Sequence, residues 1–71
     1  MNIEQVIELV EKWIADTESV SRKELGFAWH AAWYVVRAAD VVAVHAVHAA
    51  LNCDIDDAKY WVAEYRKITK E

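Results

Sequence analysis

Proline never occurs in this 71-residue chain, and glycine occurs once, at Gly26. Tight turns and hairpins draw on those two residues for backbone angles that other residues avoid. A fold of many strands joined by short turns is therefore disfavoured. Helices joined by a few connections are the expected solution, and the fold class is all-α. Hydrophobic residues make up 56% of the chain, which is too apolar for a disordered tail. At 8.2 kDa the chain has room for one helical domain spanning residues 1–71.

Start and stop signals divide the chain. Asn2 with Gln5 three residues later makes a capping-box pattern, and Ile3, Val6, Ile7, Val10, Trp13 and Ile14 come after it at helical spacing. This predicts a first helix over about 2–17. Ser21 and Glu24 make a second box, with Val20 and Leu25 placed as a hydrophobic staple. No proline interrupts the chain beyond this second box. One long central helix is therefore expected over about 22–51, roughly 45 Å at 1.5 Å per residue. Gly26 is its weak point, tolerated if a neighbouring group comes close. Asn52 is the expected left-handed stop, and Asp54 caps a third helix over about 54–69. The architecture is thus a three-helix arrangement around one long helix.

On a helical wheel at about 100° per residue, that long helix is apolar on about three of four sides. Ala28, Ala32, Ala39, Ala43, Ala46 and Ala50 fall in one sector. Two half-length helices leave an apolar face bare, and an alanine ridge lets backbones approach closely. The ridge is the expected seam of a helical-bundle homodimer or higher oligomer.

Charge and cysteine content narrow the function. The net charge is −4, the wrong sign for binding a nucleic-acid backbone directly. Residues 1–19 hold Glu4, Glu8, Glu11, Asp16 and Glu18 against Lys12, so the acid concentrates on the first helix. The apolar run from Leu25 to Leu51 is broken by His30, Arg37, Asp40, His45 and His48, so no membrane span is expected. Met1 is followed by Asn2 and Glu4 without a basic or apolar leader pattern. With a single cysteine, Cys53, the expected location is the reducing cytoplasm. Cys53, with no evident base beside it, reads as an inert thiol.

No phosphate loop, nucleophile elbow or Cys-x-x-Cys pair occurs, so no catalytic residue and no cofactor is assigned and an enzyme is not expected. The leading reading is a small protein-binding module, an adaptor or an inhibitor that occludes another macromolecule. Small acidic accessory proteins of phages and mobile elements are of this kind. Its partner-binding candidates are Trp29, Trp33 and Tyr34, with Glu4, Glu8 and Glu11 as a second set. One alternative is a bundle holding a metal or small ligand through His30, Arg37, Asp40, His45 and His48. That pattern lacks the usual i,i+4 pair with an adjacent glutamate, so no metal is assigned. A second alternative is an acidic mimic of nucleic acid on the Glu4, Glu8 and Glu11 face.

Overall fold

Two reciprocal caps start the first two helices. Asn2 Oδ1 accepts the Gln5 N–H at 2.8 Å, and the Gln5 side chain accepts the Asn2 N–H at 2.9 Å. Ser21 Oγ accepts the Glu24 N–H at 3.1 Å, and the Glu24 carboxylate accepts the Ser21 N–H at 3.2 Å. Val20 and Leu25, on either side of the second cap, are both buried. The computed structural model describes residues 2–33 and 38–69, with side chains over 2–33 and 41–69. Among these residues the chain is all-helical, in four helices. They are α1 (Ile3–Ala15), α2 (Arg22–Trp33), α3 (Ala38–Leu51) and α4 (Ile55–Thr69).

The expected single helix over 22–51 is therefore corrected to two, α2 and α3, which pack against each other. A 30-residue rod would span about 45 Å, whereas the longest extent of the molecule is 31 Å. The reason is tertiary. A rod apolar on three sides cannot be covered by two short helices, but two half-length helices cover one another. α3 packs on α1, α2 and α4, while α2 and α4 do not touch among the described residues. They lie on opposite sides of the α1/α3 pair.

The alanine ridge is the inside of this arrangement. Ala28, Ala32, Ala43 and Ala46 are wholly buried in the single chain, and Ala50 is 1% exposed. These residues of the expected dimer seam are thus packed between helices of one chain, and Ala39 lies outside the described side chains. Small side chains let α2 and α3 approach closely, and Leu25, Val47, Ile7 and Val10 fill the space around them.

α3 ends in a Schellman motif. The Asp54 N–H donates to the Ala49 carbonyl at 2.9 Å and the Cys53 N–H to the Ala50 carbonyl at 3.0 Å. The left-handed residue is Cys53, at φ 57°, and not the expected Asn52. The left-handed region costs an ordinary L-residue about 1–2 kcal/mol. Cys53→Gly should therefore stabilise the fold by roughly 0.5–1 kcal/mol after the entropy of a freer unfolded chain is subtracted. Thermal unfolding followed by circular dichroism checks this. Asp54 then caps α4, its Oδ1 accepting the Asp57 N–H at 3.1 Å.

Gly26 sits inside α2, and a Cβ built there meets nothing within 4 Å. No close approach requires it, contrary to the sequence expectation. Gly26→Ala should add about 0.8–1 kcal/mol, the ordinary helix-propensity difference. Its midpoint of thermal unfolding should rise by roughly 4–8 °C. A fall would mean that a neighbouring group crowds the site.

Candidate functional site

α2 divides by its wheel into a buried and an exposed face. Leu25, Ala28 and Ala32 point into the core. Opposite them, Phe27, His30 and Trp33 fall within about 120° of arc. All three are exposed, Phe27 by 63% and Trp33 by 57%. Trp29 lies at the boundary, half-buried, and its ring meets both neighbours edge-on at 5.7 Å, at 72° to His30 and 80° to Trp33. Edge-to-face contacts of this kind hold aromatic rings in a fixed relation. The Trp29 Nε1 is buried and has no hydrogen-bond partner among the described residues. Lys23 lies at the N-terminal end of the exposed face, and no carboxylate falls within it. The face is therefore aromatic with a basic end.

The two tryptophans singled out from sequence thus behave differently: Trp33 is the exposed one and Trp29 its half-buried support. Tyr34, proposed beside them, lies outside the described residues. Phe27 was missed. Its signal was present, since it is the chain's single phenylalanine and the wheel of α2 alone sets it opposite Leu25 and Ala32. The assumption of an oligomer around a long helix hid it.

The acidic set is tied into the fold. Arg66 of α4 forks onto Glu11 of α1, with Nη2 2.7 Å from Oε1 and Nε 3.4 Å from Oε2. Its Nη1 also pairs with Glu4. Both carboxylates hold the guanidinium's proton more tightly, Glu11 most, and Arg66 titrates above its ordinary range. Of the three glutamates, Glu8 is left exposed without a salt bridge among the described residues.

The histidine stripe is dispersed. His30 is on α2, while His45 and His48 are on α3. The His45 ring stacks on Trp61 of α4, centroids 4.5 Å apart and 19° between planes. His48 Nδ1 lies 3.5 Å from Asn52 Nδ2. Arg37 lies outside the described residues, as does the side chain of Asp40. No group of three or more His, Cys, Asp or Glu that could hold a metal ion occurs among the described residues.

On the far side of the molecule, Tyr60 meets the Trp61 ring edge-on, centroids 5.0 Å apart. Its phenol is held above its ordinary value of 10.0 chiefly by the nearby carboxylate of Glu64, and less by Asp57. Among the described residues, no helix is long and apolar enough to cross a membrane. The chain has no significant match to a protein-family model, to a curated protein or to a solved structure.

Proposed function

We propose that this protein is a non-enzymatic interaction module that seats the exposed face of α2 in an apolar groove of another protein. The observation that carries the reading is the pair Phe27 and Trp33, both more than half exposed on one face. The same fold takes Trp13 and Tyr65 to 4% and 6% exposure. Burying a large apolar side chain is worth about 1.5–3 kcal/mol. A chain this small has little stability to spare, so leaving two such groups in water fits a surface meant for contact. Phe27, His30 and Trp33 recur every three residues and form one exposed strip of α2, as a helix laid into a groove presents. The positive charge of Lys23 at its N-terminal end favours a groove with an acidic rim.

An adaptor or an occluding inhibitor both fit this surface. A homodimer through the alanine ridge is less favoured, because those alanines are already buried within the single chain. The acidic-mimic reading is weakened by the Arg66 clamp, which occupies two of its three glutamates.

The test compares wild type with a Phe27→Ala, Trp33→Ala double variant, in capture from a cell extract and in light scattering across a concentration series. A protein retained by the wild type, lost with the variant and weakened several-fold by Lys23→Glu supports the reading. Equal capture by both chains contradicts it. A dimer that the double variant dissociates would give the face to a second copy instead.

A further inference from the structure

The connection between α1 and α2 and the turn between α3 and α4 meet at one end of the bundle. A cavity of about 360 Å³ opens between them. That volume is at the lower end of small-molecule sites, which run from about 300 to 1,000 Å³. Its floor is core: Trp13, Val20 and Leu25 are each at most 5% exposed. Ile55 stands at its mouth.

Arg22 is the one charged side chain among the lining residues. Its Nη1 lies 3.9 Å from Cys53 Sγ, a weak acceptor. No carboxylate pairs with it among the described residues. Three of the acids nearby in sequence are engaged locally. Glu24 accepts from the Ser21 N–H, Asp16 from the Glu18 N–H and Asp54 from the Asp57 N–H. A guanidinium without a paired carboxylate among the described residues thus stands at the rim of an apolar cavity, which Thr17 also lines. The planar fork of arginine matches a carboxylate in two parallel hydrogen bonds. We propose that this cavity binds a small apolar carboxylate, with its hydrocarbon body on Trp13 and Leu25 and its charge on Arg22. The site is separate from the exposed face of α2 and does not rest on the role given to that face.

Octanoate and octanamide share a chain length and differ in charge, so they are the probes. Each is titrated into the ¹⁵N-labelled full chain, followed by the Trp13 indole and the Leu25 and Ile55 amides. Octanoate should give saturating shifts at these residues, and octanamide should bind about fivefold more weakly, as expected for loss of a part-exposed ion pair. Arg22 is exposed, so Arg22→Gln should fold normally and bring octanoate down to the affinity of octanamide. Bound octanoate should also slow alkylation of Cys53 by iodoacetamide in the wild type more than in Arg22→Gln. The proposal is overturned by equal affinity for the two probes, by unchanged octanoate binding in Arg22→Gln, or by absence of saturating shifts. Shifts centred on Phe27 and Trp33 would overturn it too, by showing apolar adsorption to α2.

Discussion

Replacing Ala46 by leucine is expected to cost about 2–3 kcal/mol, the upper part of the range for overpacking a closed core. Ala46 is wholly buried in the centre of the buried arc of α3, between Ala43 and Ala50, and α3 has helices packed on it from three elements. Leucine adds three carbon atoms where the chain has left no space, and the helices must move apart to admit them. A core of this size rarely supplies more than ~3–5 kcal/mol, so the variant should be largely unfolded at moderate denaturant. Val41→Leu is the control. Val41 is on the same helix but 48% exposed, and its substitution should stay within about 0.5 kcal/mol. Urea unfolding of both variants separates the two cases. A tolerated Ala46→Leu, or one that strengthens self-association, would return the alanine ridge to the surface.

The second large effect is on binding. Each of Phe27→Ala and Trp33→Ala is expected to weaken the partner complex by about 2 kcal/mol or more, roughly thirtyfold, as buried aromatic anchors do. Neither should change the stability of the free chain by more than about 0.5 kcal/mol, because both rings are mostly in water. Trp33 also loses its edge contact with Trp29, so its variant should be the slightly less stable of the two. The contrast is with Ile7→Ala, which empties a fully buried site and should cost about 2–5 kcal/mol of folding stability. Calorimetric titration against the captured partner, beside thermal unfolding of each variant, measures both quantities. Loss of binding in step with loss of folding would move Phe27 and Trp33 from the interface to the core.

Local signals in the sequence located most helix ends and missed the fold's one large rearrangement. Both capping boxes, the Val20–Leu25 staple and the Asp54 cap are formed by the residues that announce them. These depend on neighbours within one turn, which a sequence displays directly. The separation of α2 from α3 depends on what each helix can cover, and between Phe27 and Leu51 no glycine or proline marks it. The excess apolar surface expected of one long helix is largely covered within the single chain, where α2 and α3 pack on each other. The candidate site shifts for the same reason. His30, His45 and His48 form one stripe only on a continuous helix, and on two helices each has its own neighbour. Glu4 and Glu11 look like a free acidic face because an ion pair to Arg66, 55 residues or more along the chain, leaves no local trace.

The central claim is that the start of α2 and the end of α3 are neighbours in one chain. Spin labels on the native Cys53 and on a cysteine replacing Lys23 measure it, by double electron–electron resonance in a sample diluted with unlabelled protein. Arg22 reaches Cys53 in this fold, so the distance should be short, no more than about 20 Å, twice the usual spacing of packed helices. Dilution should not change it. A distance near 40 Å, as a continuous helix over these residues requires at 1.5 Å per residue, would contradict the account.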